Sequence, residues 1–249
     1  MTQTRPVALI TGASSGVGAA CAARLADDFD LALVARREDR LRARASAAEE
    51  AGARCLVLPL DVRDEGCADR VVASTLARFD RLDVVVAAAG HGRGSGPLTE
   101  PAVRRHLDDL VRTNLTAVMD LLGASVAALT ASSGVFVAVG SIAGLVGSPG
   151  YSAYAATKHG LTGLIRSVRG ELKGTRTRIC VVHSGSINTE FASVLDGSPE
   201  PFVHELSEWG YRPLVPAEVA DAIRWVIDRP SHVEVSEIVL RPTGDRDYA

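Results

Sequence analysis

Seven short runs rich in Val, Leu, Ile and Ala recur along this chain, each separated from the next by a stretch long enough for a helix. That alternation constrains the fold more than any other feature. The runs lie near Val7–Thr11, Leu31–Ala35, Arg54–Leu58, Val84–Ala88, Gly134–Val139, Arg178–Val182 and Glu237–Leu240. Apart from residues at their ends, such as Arg54, Arg178 and Glu237, they are continuously apolar instead of alternating with polar residues, so both faces of each strand should be covered. Covered strands with helices between them imply right-handed βαβ crossovers. The expected class is α/β, a doubly wound parallel seven-stranded sheet with helices on both faces, whose ligands sit beyond the carboxyl ends of the strands. At 249 residues the chain suits a single domain spanning 1–249. The one long irregular stretch runs from Ser186 to Pro213 and carries Pro199, Pro201 and Pro213. Loops of that length in compact folds are usually functional.

The first run leads into Thr11-Gly12-Ala13-Ser14-Ser15-Gly16-Val17-Gly18, and helix-forming residues come next. Strand, glycine-rich turn and helix form a phosphate cradle. Gly12 permits the tight turn, while Gly16 and Gly18 let backbone N–H groups approach a pyrophosphate. The spacing G-x-x-x-G-x-G differs from the common dinucleotide fingerprint, and no Gly-Lys-Ser/Thr of a P-loop is present after it. Further along, Tyr154 and Lys158 stand one helical turn apart and share a face. Free tyrosine titrates near 10, so proton transfer near pH 7 requires a drop of roughly 3 units, about 4 kcal/mol. One ammonium about 4 Å away supplies that much at an effective dielectric near 20. Ser141 lies upstream in Gly140-Ser141-Ile142-Ala143-Gly144.

Taken in order, these residues resemble the short-chain dehydrogenase/reductase family in its single-domain form, over essentially the whole chain. Thr11 to Gly18 matches the T-G-x-x-x-G-x-G turn and Tyr154/Lys158 the Y-x-x-x-K pair. The resemblance implies a Rossmann fold, a nicotinamide cofactor and a catalytic tetrad of Asn114, Ser141, Tyr154 and Lys158. Tyr154 exchanges a proton with the substrate oxygen, Ser141 hydrogen-bonds that oxygen, Lys158 lowers the Tyr154 pKa and holds the nicotinamide ribose, and Asn114 anchors a water leading to solvent. It places Asp61 against the adenine ring and Thr189 at the nicotinamide carboxamide. Ser14, Ser15, Val17, Val62, Ala88, Ala89, Gly90, Gly185 and Ile187 border the cofactor, and 186–213 forms a substrate lid. Two departures stand out. Ala87-Ala88-Ala89-Gly90 lacks the family's asparagine, and Ser184-Gly185 lacks its proline, which should leave the chain freer at the nicotinamide end.

The second run ends Ala35-Arg36-Arg37, where an acid would favour NAD(H) by accepting from the ribose hydroxyls. Guanidinium groups pair with phosphate, so NADP(H) is expected, with Arg36 first and Arg37 second as its ligands. The chemistry expected is hydride transfer interconverting a ketone or aldehyde and an alcohol. Alternatives are a 3-oxoacyl thioester reductase of fatty-acid or polyketide type and a catalytically silent NADP(H)-sensing regulator.

The formal net charge of -3 gives no footing for nucleic acid or an anionic membrane surface. Cys21, Cys55, Cys67 and Cys180 form no C-x-x-C, and the six histidines make no ligand-spaced cluster, so no metal site is expected. Met1 to Arg5 leads straight into the first strand without a signal peptide, and a cytoplasmic location is the expectation. For the substrate, His91 and Phe191 are candidates beside Ser141 and Tyr154. Glu190, Asp196, Glu200, Glu205 and Glu208 in the lid either solvate that loop or attract an amine-bearing or sugar-like molecule. The Ala- and Arg-rich composition fits a role in secondary metabolism. A homodimer or homotetramer is expected through the helix bearing Tyr154, with His159, Leu161, Leu164 and Val168 as candidate contacts.

Overall fold

The computed structural model describes residues 5–92, 96–191 and 210–245. Its centre is one parallel sheet of seven strands: β1 (Val7–Thr11), β2 (Asp30–Ala35), β3 (Cys55–Pro59), β4 (Val84–Ala87), β5 (Val135–Val139), β6 (Arg178–Ser184) and β7 (Glu237–Leu240). The spatial order is β3-β2-β1-β4-β5-β6-β7. The order reverses between β1 and β4, which are hydrogen-bonded neighbours. The turns after these two strands diverge there and open a crevice.

The strand bounds track burial more closely than polarity. β2 begins at Asp30, a fully buried carboxylate that accepts from Arg54 N at 2.8 Å, Nε at 2.8 Å and Nη2 at 2.5 Å. β6 runs on to His183 and Ser184, both buried. β3 ends at Pro59, tolerated because β3 is an edge strand and the missing N–H breaks no inner ladder.

One face of the sheet is covered by α1 (Gly16–Leu25), α2 (Glu38–Glu50) and α8 (Pro216–Ile227), whose Leu25, Leu41 and Ile223 share a core with Ile10 and Leu33. The other face carries α3 (Cys67–Phe79), α6 (Ala117–Ser132) and α7 (Ser152–Glu171), with Phe136, Leu129 and Ile165 at its centre. Two short helices, α4 (Pro101–Arg105) and α5 (Leu107–Val111), precede α6. A single π turn over Arg112–Thr116 joins α5 to α6. The continuous run Leu107–Ser132 is long and apolar enough by composition to cross a membrane. Here its Leu121, Leu122 and Leu129 belong to the buried core. Leu161, a candidate contact between subunits, is also core at 1% exposure. All four cysteines are free thiols.

Candidate active site

A cleft of about 610 Å³ opens at the carboxyl edge of the sheet. It is lined by every candidate site residue named from the sequence except Gly18 and Asn114. Gly18 lies beneath the turn: a Cβ there would come within 2.5 Å of the Gly12 carbonyl oxygen, so glycine is what lets α1 pack against the turn. Gly12 has φ +70°, and a Cβ would press on Ala88 and Ala89 at 2.9 Å. Together these glycines bring the start of α1 to the cleft floor. The α1 cap residue Ser15 makes no side-chain bond to the helix N–H groups, leaving a positive helix end directed at the cleft. This cradle fits the pyrophosphate of a dinucleotide.

The end expected to react is built from β5, the turn after it and α7. Ser141 caps a 3₁₀ turn (Ile142–Gly144), accepting the Ala143 N–H on Oγ at 3.1 Å. From below, His183 Nδ1 lies 3.0 Å from the Ser141 carbonyl oxygen. A carbonyl only accepts, so Nδ1 carries the proton in this contact. Burial holds that imidazole below its usual pKa range. Sequence reasoning gave His183 no role, because nothing in its neighbourhood marks it apart from a strand-end residue.

Tyr154 and Lys158 project from α7 into the same cleft, as their spacing predicts. Lys158 Nζ lies 5.7 Å from the Tyr154 ring centroid and donates to Val139 O at 2.9 Å. Burial brings the Lys158 pKa down to about 8. The ammonium therefore still predominates at pH 7, by about tenfold. Phe191 meets Tyr154 edge-on, with centroids 5.7 Å apart and planes at 69°.

Asn114 sits behind the cleft at 1% exposure, within the π turn. Its Nδ2 donates to His91 O at 2.8 Å, and its Oδ1 accepts the His91 N–H at 3.0 Å. The amide thus clamps the turn after β4. Thr11 Oγ1 adds two bonds, accepting Ala88 N–H and Ala89 N–H at 3.2 Å each. These ties hold the segment in which the usual asparagine is replaced by Ala87. At the end expected to face a nicotinamide, the freedom expected without proline is likewise countered by local bonds. Gly185 N–H donates to Leu240 O at 2.8 Å, and Ile187 bridges Leu214.

The opposite end is ionic. Arg37 donates to Ser14 Oγ at 3.0 Å and Ser15 Oγ at 2.6 Å, while Arg36 turns toward Asp61 at 3.8 Å. Asp61 is held mainly by Arg63, whose hydrogen bonds keep the carboxyl below its usual pKa range. Arg63 also pairs with Asp109, which in turn lies 3.0 Å from His91 Nε2. Arg63, Asp109 and Tyr151 line the cleft and were not found from the sequence as site residues. Each belongs to a segment without a local motif. Of the acidic residues expected to attract an amine, Glu190 is paired with Arg37 and Arg40, and Asp196, Glu200, Glu205 and Glu208 lie outside the described residues.

Fold and cleft together define a dehydrogenase-type α/β protein, and comparison with known proteins agrees. Residues 6–198 match the family model for short chain dehydrogenases. An A-factor type gamma-butyrolactone 1'-reductase (1S-forming) of Streptomyces virginiae is 32% identical, covering 95% of this chain and 94% of that protein. An uncharacterized oxidoreductase of Mycobacterium tuberculosis is 36% identical, covering 98% and 92% respectively. The alcohol dehydrogenase of the archaeon Thermococcus sibiricus, solved with 5-hydroxy-NADP, superposes with a TM-score of 0.86 at 30% identity, over 97% of this chain and 98% of that one. The chain belongs to the short chain dehydrogenase family. It is an oxidoreductase of that family, acting on CH–OH and C=O groups.

Proposed function

We propose that this protein is an NADP(H)-dependent reductase that interconverts a ketone or aldehyde and the corresponding alcohol. The observation that carries this reading is the convergence in one cleft of Ser141, Tyr154 and Lys158 with the glycine cradle and with Arg37. The solved relative from Thermococcus sibiricus holds an NADP derivative, which supports the coenzyme assignment. Between the two candidate arginines the geometry favours Arg37. It already binds the serine hydroxyls of the cradle, whereas Arg36 is turned to Asp61. Bound nicotinamide would supply or accept the hydride.

The protein's own groups do the rest. Tyr154 delivers its phenolic proton to the developing alkoxide, or takes one in the reverse direction. Lys158, buried and cationic, favours the phenolate and so brings proton transfer within reach of neutral pH. Ser141, held by its own 3₁₀ turn and by His183, places a hydroxyl against the substrate oxygen. Asn114 acts here through the backbone it fixes. Thr189 and Ile187 border the nicotinamide end, and Asp61 and Val62 the adenine end. Tyr151, Ile142, Ala143 and Phe191 give the reacting end an apolar wall. That wall favours a neutral carbonyl with an apolar substituent over an amine-bearing one. The gamma-butyrolactone 1'-reductase relative supports the reductive direction. Exposed Val111, Met119 and Val239 support self-association through α5, α6 and β7.

The test is NADPH oxidation against neutral, amine-bearing and acyl-thioester carbonyls in parallel, with Tyr154→Phe as control. Turnover with neutral carbonyls should fall at least about a thousandfold in that variant, with NADPH binding retained. Preference for thioesters would favour the acyl reductase reading. Tight NADPH binding without turnover on any carbonyl would favour a sensor.

A further inference from the structure

Glu190 lies on the segment beyond β6, and its carboxylate reaches back to α2. It accepts from Arg40 Nη1 at 2.7 and 2.8 Å and from Arg37 Nη1 at 3.0 Å. Arg37 simultaneously binds the two serines of the glycine-rich turn. Two guanidinium groups converging on one oxyanion, beside serine hydroxyls, make a phosphate-type subsite. Burial opposes ionisation of Glu190, but hydrogen bonds from Arg37 and Arg40 outweigh it and hold the carboxyl below its usual range. The occupant is therefore an anion at neutral pH. Its neighbours anchor the segment on both sides. The Thr189 methyl lies 3.6 Å from where a Cβ on Gly16 would stand, and Phe191 packs on Tyr154.

We propose that Glu190 is an internal competitor for the anion subsite of Arg37 and Arg40, and so a determinant of coenzyme choice. This rests on the NADP(H) reading above. An anion that takes these guanidinium groups must displace the carboxylate. The phosphate monoester on the adenosine ribose of NADP(H) carries close to two charges at neutral pH and can do so. The bare ribose hydroxyl of NAD(H) carries none and cannot. Arg40 thereby joins Arg37 as the second cation of the subsite, although it lies one turn into α2 and away from the strand end where such residues are sought.

The experiment is calorimetric titration of the full chain with NADPH and NADH, and with 2′-AMP and 5′-AMP as probes of the adenosine end alone. It compares wild type, Glu190→Gln, Arg37→Ala/Arg40→Ala, and the triple variant. Glu190→Gln should tighten NADPH and 2′-AMP about three- to tenfold, the range expected for two partly exposed ion pairs. NADH and 5′-AMP should change less than about twofold. The gain should vanish when Arg37 and Arg40 are both alanine. Unchanged or weaker NADPH binding in Glu190→Gln, or an equal gain for NADH, overturns the proposal. If wild type binds NADH as tightly as NADPH, the NADP(H) reading itself fails. If wild type prefers NADPH and Glu190→Gln binds it no tighter, only the competitor role fails.

Discussion

The two ends of the cleft are held by different physics. At the proposed reacting end, Ser141, Lys158 and Asn114 are nearly or fully buried and are fixed by bonds to backbone atoms: Ala143 N–H, Val139 O and the His91 peptide. At the end proposed for the adenosine, Arg36, Arg37, Arg40 and Glu190 keep a third or more of their side chains in water and are held through ion pairs. Buried polar groups have no alternative partners, so their geometry is set when the chain folds. Exposed ion pairs are individually weak and can be exchanged for another anion. Chemistry demands the first kind of site, and coenzyme exchange the second.

That contrast can be broken in order of expected effect. Lys158→Met retains the bulk of the side chain and removes its charge. Turnover should drop about a thousandfold, the scale of a lost acid–base function, with coenzyme affinity reduced far less. Comparable losses in both would show that the buried end is not specialised for chemistry. Arg37→Ala should reduce kcat/KM with NADPH by tens of fold and leave NADH nearly unchanged, as expected for lost charge-assisted bonds. Arg36→Ala should stay within about threefold for both coenzymes, because its partner Asp61 is already held by Arg63. The reverse ranking would return the phosphate to Arg36.

The pH dependence gives a smaller and more graded test. The Lys158 ammonium titrates near 8 when folded against an ordinary 10.5. As pH rises through about 8, the folded chain sheds a proton that the unfolded chain still holds. Reduction should therefore decline above pH 8, reaching about a tenth of its plateau one unit higher. Stability moves the other way: the cost of burying this ammonium is relieved progressively as pH rises from 8 to 10.5, because the unfolded state binds more protons there. Urea midpoints at pH 7.5 and 9.5 for wild type and Lys158→Met should differ in that sense, and an identical response in the two would rule Lys158 out as the source.

The strands were legible because continuous apolar runs admit few other environments, and the sheet class came from them. Their ends were less so. Asp30 and Ser184 look like exterior residues in the sequence and are interior because Arg54 pairs with one and the neighbouring strands enclose the other. The reacting end was readable from motifs within single segments, since one helical turn places Tyr154 and Lys158 together. The ionic end joins residues far apart in the chain: Arg40 with Glu190, Arg63 with Asp109. No periodicity encodes such a meeting, since it depends on where two long side chains happen to reach. Asn114 was found as a residue, yet its bonds to the His91 peptide were not.

The π turn at Arg112–Thr116 carries a last implication. A wide turn inserts one residue into the helical register and so rotates the helix before it by about 100° relative to the helix after it. Upstream lies the Asp109 that touches His91; downstream lie the leucines that seat on the sheet. Deleting a single residue there would relax the helix to ordinary geometry while swinging Asp109 off its target. The irregularity works as a phase shifter between a structural half and a chemical half of one rod, and an apparent improvement in helix regularity would be a loss of aim.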